Sequence, residues 1–131
     1  MQLLTGKRVV ITGSSRGLGR AFALAMAQQG ASVVLNGTNE AALADTAAAV
    51  RAVGGQVAVR AGSVADSSVC EALIKTCVAA FGGIDILINN AGVVRDRTLA
   101  KMTDAEFDDV IAVHLRGSFA CGKHAAAVMR E

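Results

Sequence analysis

The stretch TGSSRGLGR, residues 12–20, holds the residues of this sequence that are best suited to bind a ligand. It follows the apolar run RVVI and precedes the alanine-rich run AFALAMAQQG, so it joins a predicted strand to a predicted helix. Gly13 permits a tight turn, Gly17 lets backbone approach a ligand, and Gly19 lets the helix press on the sheet. The helix start attracts anions, so the turn suits a pyrophosphate. The alternative is a turn that serves only strand–helix packing.

Two further places carry polar groups that could act in binding. The segment NNAG, Asn89 to Gly92, follows the apolar run DILI, and an asparagine amide there can serve two backbone groups at once. Gly92 leaves room for a ligand to pass, whereas the alternative for the two asparagines is a plain β-turn. Cys70, Cys77 and Cys121 lack Cys-x-x-Cys or histidine spacing, so we expect free thiols and no metal site.

Short β-branched runs alternate with helix-length, alanine-rich segments along the chain, which predicts repeated βα units. Gly30, Gly54 and Gly82 lie where helices should end. The strand cores are apolar without polar alternation, as expected when helices cover both faces of a parallel sheet. We therefore predict an α/β fold, a three-layer, Rossmann-like, doubly wound parallel sheet.

The last predicted helix opens with a Thr-x-x-Glu capping box from Thr103 to Glu106 and runs toward the end of the chain. Apolar residues and one histidine recur three and four residues apart along one face of it. That face can lie against the core or against a partner. Its members are Phe107, Val110, Ile111, His114, Leu115 and Phe119.

The composition describes one globular domain: 131 residues, of which 53% are hydrophobic and 18% charged, with a net charge of +2. Scattered basic residues offer no footprint for nucleic acid or a membrane surface, so the expected partner is a small molecule. No leader and no membrane span are evident, which predicts a cytoplasmic protein.

The pair TGSSRGLG and NNAG resembles the short-chain dehydrogenase/reductase family, whose members transfer a hydride between a nicotinamide cofactor and a carbonyl or alcohol. The stretch VVRDRTLAKMTDAEFDDVIAVHLRGSF is most similar to 3-oxoacyl-thioester reductases and (3R)-hydroxyacyl-CoA dehydrogenases. The spacing Thr-Gly-x-x-Gly-x-x-Gly, usual in the family's extended, nucleotide-sugar branch, is absent. The resemblance implies that the cofactor is held by Gly13, Ser14, Ser15, Arg16, Gly17, Leu18, Gly19, Asn36, Gly37, Thr38, Ser63, Val64, Asn89, Ala91 and Gly92.

Two departures from the family pattern bear on the cofactor. NAD-selective sites place an acid at the tip of the second strand, but residues 36–38 are Asn-Gly-Thr. Arg16 resembles the basic residue of NADP-preferring members and can pair with a 2′-phosphate. We therefore predict NADP(H) over NAD(H), the alternative being that Arg16 is a solvated turn residue. Ser63 replaces the family's adenine-binding Asp and accepts more weakly, while Asp66 is predicted to cap the next helix.

His114 occupies the position of the family's catalytic Asn, whose role is to hold a helix irregularity and a proton-relaying water through its backbone carbonyl. Histidine can take this role if the water is held by the backbone carbonyl, because every residue type has that group. The alternative is a buried histidine with its hydrogen bonds satisfied, on the apolar face of the helix.

The resemblance covers the whole chain but only about the first half of a typical member, four of the usual seven strands in the order 3-2-1-4. The family's catalytic Ser, Tyr and Lys would lie downstream, so we expect residues 1–131 to be a cofactor-binding domain that is inactive alone. The fourth strand should then expose an apolar edge, leaving the chain marginally stable or prone to associate. Family tetramers suggest a partner for Phe107, Ile111 and Phe119. The alternative function is a non-catalytic nucleotide-binding module or pseudo-enzyme.

Overall fold

The computed structural model describes residues 1–131 and alternates strands with helices, which confirms the predicted α/β fold. All strand pairs are parallel, in the order β3-β2-β1-β4. A 3₁₀ turn at Leu99–Lys101 precedes α4, and a π-helical segment at Ile111–Arg116 joins α4 to α5. The strands are β1 Arg8–Ile11, β2 Ser32–Gly37, β3 Val57–Ala61 and β4 Ile86–Ile88; the helices are α1 Gly17–Gln28, α2 Glu40–Ala52, α3 Ser67–Phe81, α4 Asp104–Val110 and α5 Gly117–Met129.

The cores of the two central strands are apolar because helices cover both faces of the sheet. Val10 and Val34 pack with α3 and α5, whereas Val9 and Ile11 pack with α1 and α2. Successive residues of a strand face opposite ways, so each face receives every second side chain. The outer strands differ, since Val59 of β3 is 40% exposed. Burial on both faces is therefore confirmed for β1 and β2 only.

The helix ends follow their sequence signals. Gly30, Gly54 and Gly82 lie within two residues of the helix ends and have φ of 94°, 83° and 86°. Asp66 caps α3, because its carboxylate accepts from the backbone N–H of Ser68 at 2.9 Å. No helix of the chain combines the length and apolar character needed to cross a bilayer.

The last predicted helix is divided in the structure into α4, a π-helical segment and α5. Thr103 does cap its start, accepting from Glu106 N–H at 3.1 Å. Regular α-helix ends at Val110, and the next six residues form the π-helical segment before α5 begins at Gly117. A π-helical segment shifts the hydrogen-bond ladder by one residue, which turns the faces of α4 and α5 relative to each other.

The face of the π-helical segment and α5 that packs on the protein consists mainly of small residues rather than of the predicted phenylalanine stripe. A Cβ added at Gly117 would lie 2.9 Å from Val64 Cγ2, so α5 approaches the loop after β3 closely. Phe107 and Phe119 are 55% and 66% exposed. Close packing selects small side chains and leaves the large ones outside. The packed face consists of Val113, Gly117, Ala120, Cys121 and Ala125.

All three cysteines are free and buried, as expected for packing residues. Burial raises the pKa of Cys77 to about 11. Burial also raises the pKa of Cys121 to about 12, and the neighbouring thiol of Cys70 adds to this shift. The thiols of Cys77 and Cys121 therefore stay protonated at neutral pH.

An ion pair ties β1 to β4 at the end of the sheet opposite the glycine turn. Arg8 donates through Nε to Asp85 Oδ2 at 2.9 Å and through Nη2 to Oδ1 at 3.1 Å. The backbone N–H of Arg8 donates to the same carboxylate at 2.9 Å. These hydrogen bonds hold the pKa of Asp85 down at about 2.

Substituting Asp85→Asn should lower the melting temperature at pH 7 by about 5 °C, because charge-assisted hydrogen bonds to Arg8 are lost. The carboxylate's contribution is complete above its unfolded pKa of about 4 and disappears as pH falls toward 2. The difference between wild type and variant should therefore shrink over that range in thermal scans. Glu71→Gln, which breaks an exposed pair with Lys75, is the matched control. A difference that stays constant from pH 7 to pH 2 would contradict this account.

Candidate functional site

The carboxyl ends of the strands open into one cleft of about 380 Å³, beside the point where the strand order reverses between β1 and β4. Open α/β sheets bind ligands at this position. Gly62, Asn90, Val93 and Val113 line the cleft without having been predicted. Most of the predicted residues line it too: Gly13, Ser15, Arg16, Gly17, Asn36, Gly37, Thr38, Ser63, Val64, Ala91 and Gly92.

Four predicted residues lie outside the lining. Ser14 is fully buried and fixes the turn, since its hydroxyl donates to Ile11 C=O at 2.8 Å. Gly19 lies beneath the turn, where an added Cβ would overlap the carbonyl oxygen of Gly13. Leu18 and Asn89 are exposed.

The start of α1 differs from the starts of the other helices that follow a loop. A side chain accepts from a backbone N–H at the starts of α2, α3 and α4, the capping residues being Asn39, Asp66 and Thr103. Arg16 precedes α1 and provides no such bond. The first N–H groups of a helix lack partners within it, and their partial positive charge attracts anions. The uncapped start of α1 therefore offers hydrogen-bond donors at the cleft.

Asn36 is a structural connection rather than an open ligand-binding side chain. Its amide donates to Arg60 C=O at 3.1 Å and to Gly62 C=O at 3.0 Å, and its carbonyl accepts from Gly13 N–H at 3.3 Å. The residue is 1% exposed. It thus links the end of β3 to the glycine turn, which leaves Gly37 and Thr38 to face the cleft.

Of the two asparagines of NNAG, it is Asn90 whose amide bonds to two backbone groups, and not Asn89, the one that the resemblance implies in cofactor binding. The Asn90 amide donates to Thr12 C=O at 3.2 Å and to Gly13 C=O at 3.0 Å. Thr12 Oγ1 in turn accepts from the backbone of Asn90 at 3.0 Å and of Ala91 at 2.9 Å. Asn89 directly follows β4 and is exposed, because neighbouring residues of an extended chain face opposite ways. The plain β-turn alternative is thereby excluded for Asn90.

Arg16 is the only charged residue among those that line the cleft. It is exposed, with extended backbone, and its guanidinium makes no ion pair or hydrogen bond within the chain. Ser63 at the third strand's end accepts from Ala65 N–H at 3.2 Å. The cleft is therefore positive and contains no carboxylate that would repel an anion.

His114 lies within the π-helical segment, at the irregularity that the resemblance implies. Its Nε2 is 3.0 Å from Val93 N and 2.8 Å from Val93 O, and its ring packs 2.6 Å from where a Cβ of Gly92 would lie. The residue is exposed, so the alternative of a buried histidine is wrong. Its carbonyl accepts from the Ser118 hydroxyl at 2.7 Å. His114 thus anchors the segment after NNAG to the helix.

Comparisons with known proteins agree with this geometry. Residues 7–131 match the family described as short chain dehydrogenase. A hydroxyacyl-CoA dehydrogenase of Mycobacterium tuberculosis is 43% identical over 98% of this chain and 42% of its own length. A 3-oxoacyl-[acyl-carrier-protein] reductase of Staphylococcus aureus is 40% identical over 94% of this chain and 50% of its own length.

Solved structures show the same arrangement of elements. A short chain dehydrogenase from Mycobacterium avium superposes with a TM-score of 0.93 at 43% identity, over 98% of this chain and 47% of that one. A short chain dehydrogenase from Burkholderia cenocepacia, solved in complex with NADP, gives 0.92 at 31% identity, over 96% of this chain and 52% of that one. The chain spans about half the length of the two curated relatives named above. On the family match, the shared fold and the motifs, this chain belongs to the short-chain dehydrogenase/reductase family of oxidoreductases.

Proposed function

We propose that this chain is the NADP(H)-binding half of a short-chain dehydrogenase/reductase. The observation that carries the proposal is the uncapped start of α1, beside a cleft whose only charged side chain is Arg16. Gly17 has φ of 59°, and a Cβ added there would meet nothing within 4 Å, so a ligand can approach the backbone closely. These features fit a pyrophosphate and a further phosphate on the same molecule.

The residues divide between the parts of the cofactor. The N–H groups of the glycine turn and the start of α1 hold the pyrophosphate, and Arg16 pairs with the 2′-phosphate beside Gly37 and Thr38. Ser63 and Val64 face the adenine, and Ala91 and Gly92 face the adenosine ribose. The Burkholderia cenocepacia relative, solved with NADP, supports this choice of cofactor. When bound, the nicotinamide supplies or accepts the hydride of the reaction.

The proposed reaction is the interconversion of a 3-oxoacyl and a 3-hydroxyacyl thioester. The names of two relatives, a hydroxyacyl-CoA dehydrogenase and a 3-oxoacyl-[acyl-carrier-protein] reductase, support this substrate class. Those relatives are about twice as long as this chain, and we place the Ser, Tyr and Lys of the chemical step in the corresponding second half. His114 contributes by holding the π-helical segment and the Val93 backbone.

Backbone amide NMR shifts recorded during titration with NADP⁺ test the proposed function. We expect the largest changes in residues 13–19, 37–38, 62–64 and 90–92, since these surround the cleft. The groove between α2 and β3, lined by Leu43, Ala47 and Val59, is the internal control and should not respond. No response at millimolar NADP⁺, or a response confined to that groove, would refute the proposal.

We also propose that the protein works in the cytoplasm as a homo-oligomer, assembled through the exposed apolar face of α4 and α5. Phe107, Leu115 and Phe119 are large apolar side chains, and they are 55%, 65% and 66% exposed.

The double substitution Phe107→Ser and Phe119→Ser should therefore convert the assembly to smaller species in sedimentation velocity at about 10 µM. Buried apolar area drives such association, and serine removes most of it. Val53→Ser alters an exposed apolar residue at the end of α2 and should leave the assembly unchanged. If the double variant sediments like the wild type, this face is not the interface.

A further inference from the structure

Thr46 is a fully buried polar residue in the middle of α2, and its hydroxyl bonds outside its own helix. Oγ1 donates to the backbone carbonyl of Ser15 at 2.8 Å and accepts from Arg20 Nη1 at 3.0 Å. Its exposure is 0%. Thr76 of α3 behaves differently, because its hydroxyl donates to Ala72 C=O one turn earlier in the same helix. Thr46 thus connects α2 with the glycine turn and with α1.

The carbonyl held by Thr46 belongs to the residue that shapes one corner of the cleft. Ser15 directly precedes Arg16, and its side chain covers Gly37 at the tip of β2. A Cβ added at Gly37 would lie 2.9 Å from Ser15 Oγ and 3.1 Å from Ser15 Cβ. Ser15 therefore fills the space into which a side chain at position 37 would project. The position of the Ser15 backbone also sets where the next residue, Arg16, begins.

The second hydrogen bond of Thr46 holds the cation of Arg20 away from that corner. Arg20 shares Nη1 between Thr46 Oγ1 and Asp45 Oδ2, the latter at 3.2 Å. The guanidinium is thereby held against α2 and is not among the groups that line the cleft. Arg16 remains the only cation available to a ligand there. One hydroxyl thus fixes both the backbone before Arg16 and the side chain of Arg20.

We propose that Thr46 is a positioning residue for cofactor selectivity. By holding the Ser15 backbone, it fixes where Arg16 begins and keeps the Ser15 side chain over Gly37, in the arrangement that favours a 2′-phosphate. This inference rests on the proposed function, since it assumes that the cleft binds NADP(H). Thr46 itself does not touch the ligand, because it is absent from the lining of the cleft.

The variants Thr46→Val and Thr46→Ser test the inference by calorimetric titration with NADP⁺ and with NAD⁺. Valine keeps the shape but removes both hydrogen bonds, so NADP⁺ should bind about tenfold more weakly, while affinity for NAD⁺ changes less than about twofold. Serine keeps the hydroxyl and should restore the wild-type ratio of the two affinities. Thr76→Val removes a hydroxyl that bonds only within α3, and it should leave both affinities unchanged.

If Thr46 had only a structural role, Thr46→Val would lower both affinities by the same factor. An unchanged ratio of the NADP⁺ and NAD⁺ affinities in this variant would therefore overturn the inference. Hydrogen exchange of residues 14–19 without ligand gives an independent readout: it should quicken about tenfold in Thr46→Val and not in Thr76→Val. If the wild type binds NAD⁺ as tightly as NADP⁺, the proposed function fails. The exchange rates then still decide on Thr46, since unchanged exchange means that it does not hold the turn.

Discussion

Substituting Gly19→Ala, beneath the glycine turn, is expected to lower affinity for NADP⁺ at least about 100-fold. The added Cβ would overlap the Gly13 carbonyl oxygen, and it would also lie 2.7 Å from Asn90 Nδ2 and 2.8 Å from Ser14 Cα. Two of these atoms are backbone of the glycine turn, so the turn must move away from α1. Calorimetric titration, with circular dichroism to check folding, measures the effect.

The matched control is Gly122→Ala in α5. A Cβ added there meets nothing within 4 Å, and alanine suits a helix interior better than glycine. We expect unchanged NADP⁺ affinity and a gain in stability of about 0.5–1 kcal/mol. If Gly19→Ala binds NADP⁺ within threefold of the wild type while Gly122→Ala behaves as expected, the turn does not hold the cofactor.

Substituting Arg16→Gln should weaken NADP⁺ binding about 10–100-fold and leave NAD⁺ binding within about threefold. The guanidinium is the only charge in the lining and has no partner within the chain, so its charge-assisted hydrogen bonds are available to a 2′-phosphate. NAD⁺ lacks that phosphate, so its affinity should depend little on Arg16. The wild-type preference should also fall as salt rises, because exposed charges are screened.

Arg51→Gln is the control for this prediction, since Arg51 is an exposed arginine of α2 that lies outside the cleft. It should change neither affinity. An equal loss of NADP⁺ and NAD⁺ affinity in Arg16→Gln would assign Arg16 to the pyrophosphate or to the turn itself. No loss at all would make it the solvated turn residue of the alternative interpretation.

The fold and the position of the cleft follow from local signals in the sequence. Apolar strands such as RVVI predict burial on both faces, and the structure buries Val9, Val10 and Ile11 completely. The glycine turn and NNAG mark the ends of two strands that lie side by side, β1 and β4. Carboxyl ends of parallel strands meet at one edge, so the two motifs meet as well.

The roles of individual polar side chains could not be predicted in the same way. Asn36 and Asn90 both bond to backbone of other strands, and the choice between Asn89 and Asn90 depends on which residue faces the glycine turn. The sequence gives no sign that Thr46 differs from other helical threonines, because its role depends on the packing of α2 against Ser15. Whether Phe107 and Phe119 are exposed likewise depends on the π-helical segment, and no local sequence pattern indicates that segment.

The most direct test of the account compares adenosine 2′,5′-bisphosphate with adenosine 5′-monophosphate as ligands of the wild-type chain in calorimetry. The two molecules share adenine, ribose and 5′-phosphate and differ in the 2′-phosphate that Arg16 is proposed to bind. We expect the bisphosphate to bind at least about tenfold more tightly, because a charge-assisted pair contributes about 1.5–3 kcal/mol. Equal affinities for the two ligands, or no binding of either, would contradict it.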